Sequence, residues 1–296
     1  MATLNDWLEG ARLRTLPVSV APVIAGSAIA AQIGAFSWPR ALLAAGVALS
    51  LQVGVNFAND YSDGIRGTDD VRSGPPRLTG GGLTSPARVK AAAWLSFALA
   101  GLAGLVLVVL CQQWWLLAVG LACVAAGWYY TGGSRPYGYM GLGEVFVFIF
   151  FGLVATAGTT YTQALSVPWT GWVSAVGMGS VACAALMVNN IRDIPTDSQC
   201  GKRTLAVRLG QRRARWAFAG MIALPVILTA ALLPAHTGGW GRLGVALAGW
   251  LFTTAWAAAI CRPVLAGLSG RGLIRVLKHT GLFEVAWALL IVLIFV

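Results

Sequence analysis

The chain of 296 residues is 57% apolar and only 10% charged, with a mean hydropathy of +0.74, a balance that excludes an ordinary soluble domain and makes lipid the solvent. Its formal charge of +11 would suit nucleic acid, but the basic residues follow a membrane topology instead of forming a patch, so no nucleic-acid partner is expected. The apolar runs are continuous, without the alternation of a β-barrel, which leaves an all-α polytopic bundle.

In chain order, Met1–Thr15 carries Asp6, Glu9, Arg12 and Arg14 and leads into an apolar run too long for the core of a signal peptide, so it is read as the approach to an uncleaved first span. Nine spans of roughly membrane length follow: Leu16–Ala35, Ala41–Ala58, Val89–Leu110, Trp114–Tyr130, Leu142–Tyr161, Gly171–Val188, Trp216–Leu233, Leu243–Ile260 and Gly281–Val296. They are expected to form one domain, 1–296. With the amino terminus cytoplasmic, every one of the 21 Lys and Arg residues except Arg40 and Arg242 falls on the cytoplasmic side, as the positive-inside rule requires. The expected location is the cell (inner) membrane, multi-pass.

Two connections are long, Asp60–Arg88 and Ile191–Arg215, and they hold six of the ten acidic residues. The first begins Asn56-Phe-Ala-Asn59-Asp60-Tyr-Ser-Asp63-Gly-Ile-Arg66 and continues to Asp69 and Asp70; the second reads Asn189-Asn190-Ile-Arg192-Asp193-Ile-Pro-Thr-Asp197. If the helices persist, Asp60 and Asp63 share one face at i,i+3, and Asp193 and Asp197 share another at i,i+4. Like charges so close together beside lipid are costly, and a divalent cation would offset the repulsion. Mg²⁺ takes oxygen ligands only, so two such pairs could clamp a diphosphate, with Arg66, Arg72, Arg77, Lys202 and Arg203 as further cationic donors. Taken singly, an Asp or Arg at a helix end more often just solvates the interface; two matching clusters at two helix ends are hard to explain that way.

The remaining signals are weaker. Gly201-Lys202-Arg203-Thr204 lacks the glycine spacing of a nucleotide-binding P-loop, so no nucleotide is expected. The five cysteines are dispersed and show no metal or disulfide spacing, and His236 and His279 stand alone. Most of the 13 Trp residues sit near span ends, as an interfacial belt does. The loop from Trp128 to Glu144 joins Arg135 to Tyr137 and Tyr139; its aromatic faces could shelter an allylic cation or could equally belong to the belt.

At these motifs the chain resembles the UbiA superfamily of intramembrane prenyltransferases. The resemblance rests on Asn59, Asp60 and Asp63 after the second span and on Asp193 and Asp197 after the sixth. Arg14-Thr-Leu-Pro17, Tyr130-Thr-Gly-Gly and Gly201-Lys-Arg-Thr-Leu205 most resemble the branch acting on 1,4-dihydroxy-2-naphthoate. It implies nine helices around a central cavity that opens laterally to lipid, with the carboxylates at its cytoplasmic rim. It implies Mg²⁺ as cofactor, held by Asn59, Asp60, Asp63, Asp69, Asp193 and Asp197. Many relatives carry a third Asp where this chain has Gly67, which leaves open whether Asp69 or Asp70 is a direct ligand.

The substrates so implied are a polyprenyl diphosphate and an aromatic acid. Asp60, Asp63, Asp193, Asp197, Lys202 and Tyr139 are the expected catalytic groups; Arg14, Asn59, Arg66, Arg135, Tyr137, Asn189, Arg192 and Arg203 the expected substrate-binding ones. The allylic C–O bond ionises as the diphosphate leaves, and the ring carbon bearing the carboxylate attacks; loss of carbon dioxide then gives demethylmenaquinol. Two other readings stay open. One is the same transfer to another acceptor such as 4-hydroxybenzoate; the other, from a different class, is a cation-coupled transporter, whose carboxylates would lie near the bilayer midplane and not at span ends.

Overall fold

The computed structural model of the protein describes residues 2–67, 77–236 and 238–296, and every regular element among them is helical. A capping box starts α1 (Leu4–Ala11): the Thr3 hydroxyl accepts the Asp6 N–H at 3.3 Å, and the Asp6 carboxylate accepts the Thr3 N–H at 2.7 Å. The helix ends at Arg12, whose φ of 54° is left-handed, a conformation that costs an L-residue about 1–2 kcal/mol. A single 3-10 turn, Leu13–Thr15, then leads into α2 (Leu16–Gln32), with Pro17 in its first turn, where no amide hydrogen is needed.

The remaining helices are α3 (Trp38–Ile65), α4 (Pro86–Cys111), α5 (Leu116–Tyr129), α6 (Gly143–Val147), α7 (Gly158–Ala164), α8 (Trp169–Gln199), α9 (Leu205–Leu232), α10 (Trp240–Leu265) and α11 (Gly272–Phe295). A π-helical stretch, Phe148–Ala157, joins α6 to α7 as one apolar rod. Glycine at 210, with φ 71°, kinks α9 after its first turn, just ahead of the basic run Arg212, Arg213 and Arg215.

Each of the nine predicted spans has a helical counterpart, but the nine are not equivalent. Among the described residues seven helices are long and apolar enough to cross a membrane: α3, α4, Gly143–Ala164, α8, Leu205–Ala235, α10 and α11. The first predicted span is α2, 17 residues, joined to α1 across a bend of 51°; an eighth crossing results when the pair is counted as one bent span. The fourth is α5, whose 14 residues reach only about 21 Å of the ~30 Å hydrocarbon core.

Helix α8 is the hub. Its apolar window is 78% buried, against 22–50% for the other six. Small residues let its neighbours approach, since lipid offers no hydrophobic drive between helices and close packing must supply the adhesion. A Cβ on Gly152 would lie 2.5 Å from the Cα of Gly179, and one on Gly177 only 2.0 Å from the Trp287 ring of α11. Trp287 is itself fully buried, and its indole N–H donates to the Thr229 hydroxyl at 2.8 Å. The outward faces are apolar instead: Leu95, Leu99 and Leu102 of α4 stand open at i, i+4 and i+7.

Gly177→Val is therefore expected to cost more than the ~1–3 kcal/mol usual for overpacking, because the rigid indole cannot yield. Gly244→Val, placed where a Cβ meets nothing within 4 Å, is the control. Yield of monodisperse protein from detergent extracts reads the difference; equal yields would show that α8 and α11 are less tightly packed than this geometry requires.

Candidate functional site

Helices α3 and α8 both run past the ends of their apolar segments, by about two and three turns respectively, so the polar motifs are helical and not loops. Hydropathy ends where the polar residues begin; the helices continue because those side chains face a shared interior instead of lipid. Between them lies a cavity of about 410 Å³. Gln52, Asn56, Asn59 and Asp63 form its α3 wall at i, i+4, i+7 and i+11, one stripe of the helix. From α8 come Asn189, Asn190, Asp193 and Asp197, and Lys202 follows from the next turn. Arg12, Thr15 and Arg77 complete the polar lining, while Tyr137, Phe146, Phe150, Phe151 and Val154 supply an aromatic and apolar part of the wall.

The two motifs are tied together through Tyr139, on the 3-10 turn Tyr137–Met140. Its hydroxyl donates to Asp63 Oδ1 at 2.7 Å, and the Arg66 guanidinium and the Lys202 ammonium lie 5.6 Å and 5.1 Å from the centroid of its ring. Its carbonyl accepts the Arg203 N–H at 2.9 Å. Lys202 Nζ is 3.8 Å from Asp197 Oδ1, and the Lys202 N–H donates to the Asp197 carbonyl at 2.9 Å. Arg66 also donates to the carbonyls of Thr131 and Gly133, and the Thr131 hydroxyl donates to Asn59 Oδ1 at 2.8 Å. Asn56 Nδ2 donates to the Ala11 carbonyl at 2.9 Å, which docks the end of α1 on this wall.

Several expected site residues are placed elsewhere. Asp60 does not share the cavity with Asp63: it is fully buried, and its two oxygens accept the N–H groups of Leu78 at 3.0 Å and Thr79 at 2.8 Å. The polar stripe of α3 passes through 56, 59 and 63, and residue 60 sits about 100° round from 59. It anchors the segment that carries Arg77 into the cavity wall. Arg192 pairs with its own neighbour Asp193, through Nε at 2.7 Å and Nη2 at 2.6 Å, and it does not line the cavity. Arg135 and Arg203 are exposed and outside the lining; Arg203 contributes its backbone instead. Asp69, Asp70 and Arg72, together with the side chain of Arg14, lie outside the described residues.

Tyr137 belongs to the aromatic wall. It stacks on Phe146 at 4.0 Å and meets Tyr130 edge-on at 5.5 Å, while its hydroxyl donates to the Ala126 carbonyl at 2.8 Å. Burial pushes its phenol up, so it stays a neutral donor. Gln52, Thr15, Thr131, Asn190 and Arg12 were not singled out from the sequence. Gln52 was findable, as the first member of the polar stripe in an apolar helix. Arg12 was not, because its place depends on the left-handed turn after α1.

The donors facing the cavity are hard oxygens: the carboxylates of Asp63, Asp193 and Asp197 and the amide oxygens beside them. No group of three or more His, Cys, Asp or Glu side chains among the described residues could hold a metal ion unaided. That combination fits Mg²⁺, which commonly binds through one or two carboxylates and completes its shell with water and substrate phosphates; it does not fit Zn²⁺, which favours Cys and His.

Residues 19–264 match the UbiA prenyltransferase family. The chain belongs to that family. It is 51% identical, over 98% of its length and 96% of the relative's, to the 1,4-dihydroxy-2-naphthoate octaprenyltransferase of Mycobacterium tuberculosis. The Escherichia coli protein of the same description is 41% identical over 71% of this chain and 70% of its own. Among solved structures, a UbiA homolog from Archaeoglobus fulgidus bound to DMAPP and Mg²⁺ superposes with a TM-score of 0.67 at 14% identity, covering 97% of this chain and 99% of that one. A UbiA homolog from Aeropyrum pernix gives 0.68 at 17% identity, covering 93% and 94%. At such identities these two speak for the fold alone.

For this UbiA-family enzyme the Tyr139 hydroxyl has a definite test. Tyr139→Phe keeps the ring beside Arg66 and Lys202 but removes the donor to Asp63. A hydrogen bond to a charged group contributes about 1.5–3 kcal/mol, so prenyl-transfer turnover should fall about 10- to 100-fold. Unaltered steady-state kinetics would reduce Tyr139 to a packing residue.

Proposed function

We infer that this enzyme transfers a polyprenyl group from its diphosphate to 1,4-dihydroxy-2-naphthoate with loss of carbon dioxide, forming demethylmenaquinol in menaquinone synthesis. The observation that carries the reading is one cavity lined both by carboxylates and cations of the two motifs and by aromatic and apolar side chains. The names of the relatives at 51% and 41% identity support the acceptor.

Asp63, Asp193 and Asp197 would hold Mg²⁺, with Asn59 and Asn189 beside them; when bound, the metal supplies positive charge that neutralises the departing diphosphate. That a UbiA homolog from Archaeoglobus is bound to DMAPP and Mg²⁺ supports the use of a divalent metal, and the choice of residues rests on their place in the cavity wall. Lys202 and Arg77 offer further positive charge in the wall of the same cavity. The aromatic wall of Tyr137, Phe146 and Phe150 excludes water from the allylic carbon and presents π faces to its developing charge. The ring carbon bearing the carboxylate forms the new C–C bond as the C–O bond breaks, and the electron pair freed by departing carbon dioxide restores the aromatic ring.

The same reading takes α2 and α5 as the crossings that complete nine, residues 1–296 as one domain, the cavity as open laterally to lipid and its carboxylates as cytoplasmic. The test of function is incubation of purified protein with Mg²⁺, a labelled polyprenyl diphosphate and a panel of aromatic acids. A prenylated naphthoquinol, abolished by EDTA, is the expected product. Prenylation of 4-hydroxybenzoate alone would overturn the acceptor, and EDTA-resistant transfer would overturn the metal.

A further inference from the structure

A second groove lies on the outer side of the bundle, between the end of α10 and the beginning of α11, with a volume of about 730 Å³. Chain direction places it at the same end as the carboxylates. Helix α8 finishes there, α9 sets out from there, and Arg215 of α9 donates to the carbonyls of Val264 at 2.5 Å and Leu268 at 2.8 Å, at the end of α10.

The groove has two chemistries. Arg271, Arg275 and His279 follow one another at i, i+4 and i+8, so they share a single face of α11 and point along one line. All three are exposed, and among the described residues no carboxylate pairs with any of them. The opposite wall is apolar, built from Trp256, Ile260 and Pro263 of α10, with the Trp256 ring edge-on to His279 at 6.3 Å. Further along α10 the surface continues as Leu251 and Phe252, which are 65% and 61% exposed.

We propose that this groove binds an anionic glycerophospholipid, its phosphate on Arg271 and Arg275 and one acyl chain along the apolar face of α10. Charge complementarity selects the headgroup: a row of guanidinium groups without carboxylates matches a phosphodiester, and basic pockets between membrane helices are where such lipids lodge. The apolar wall selects an amphiphile over a free anion. The lack of acidic residues in the groove argues against a prenyl diphosphate, since nothing there would recruit the metal that helps hold one. A topology signal needs only positive charge near the span end, whereas here the charges are aligned on one groove.

The experiment uses the full chain in mild detergent, with binding of phosphatidylglycerol followed by native mass spectrometry and circular dichroism as the check on folding. Arg271→Gln/Arg275→Gln is expected to weaken phosphatidylglycerol binding roughly thirtyfold, from about 1 kcal/mol for each basic residue. The control, Arg262→Gln/Lys278→Gln, removes the same charge from neighbouring exposed positions outside the groove and should retain the lipid. Equal loss in both pairs would reduce the effect to surface potential and overturn the proposal. Equal binding of phosphatidylcholine would overturn it too, as would displacement of the lipid by inorganic phosphate or by geranyl diphosphate.

Discussion

Asp63→Asn is expected to lower the maximal rate of prenyl transfer by about 10²–10³-fold and to raise the Mg²⁺ concentration needed for half-maximal rate. The substitution keeps the side chain's shape, and its amide oxygen can still accept the Tyr139 hydroxyl that now lies 2.7 Å away. What disappears is one negative charge from a wall of the cavity. Removing one group that stabilises developing charge typically costs a factor of that size. Asp193 is a less clean target, since neutralising it would strand the Arg192 guanidinium bonded to it. The measurement is the initial rate across a Mg²⁺ titration. A rate close to wild type with an unmoved Mg²⁺ requirement would remove Asp63 from the metal site.

Asp60→Asn should behave differently, though it lies only three residues away. Its buried carboxylate accepts two backbone N–H groups, and an amide can accept only one while turning its own N–H₂ toward the other. A buried donor left unsatisfied costs about 1–3 kcal/mol, which loosens the segment beginning at Arg77. The efficiency of transfer should fall about 10- to 100-fold through the loss of Arg77 from the cavity wall, at an unchanged Mg²⁺ requirement. Trypsin should cut faster after Arg77 in the variant. A Mg²⁺ shift matching that of Asp63→Asn would make Asp60 a ligand after all and restore the paired-carboxylate reading.

The contrast between these two residues marks the reach of sequence reasoning here. Their i,i+3 spacing is legible, and so is the persistence of one face along a helix. Which face points inward is not, because Asp60 is claimed by the N–H groups of Leu78 and Thr79, 18 and 19 residues later. The Asp193 and Asp197 pair fared better. Both line the cavity, because their i,i+4 spacing keeps them on one face of α8, which continues as a helix to Gln199. Arg192 lies off the cavity lining for a local reason: a bidentate partner stands next to it in the chain.

Composition alone determined the solvent, and with it the all-helical architecture, because a backbone in lipid must satisfy its own hydrogen bonds. The run lengths located α3 and α8, the helices that carry the two acidic motifs, and the motifs pointed to the chemistry, because carboxylates beside lipid need a stated reason to exist. Tertiary structure decided the rest: that Tyr139 bridges the two motifs, that Arg12 and Arg77 reach the cavity while Arg135 and Arg203 do not, and that Asp60 fastens a loop. These outcomes rest on contacts between residues far apart in the chain. Periodicity reports only which residues share a face of one helix, and it carries no information about what that face meets.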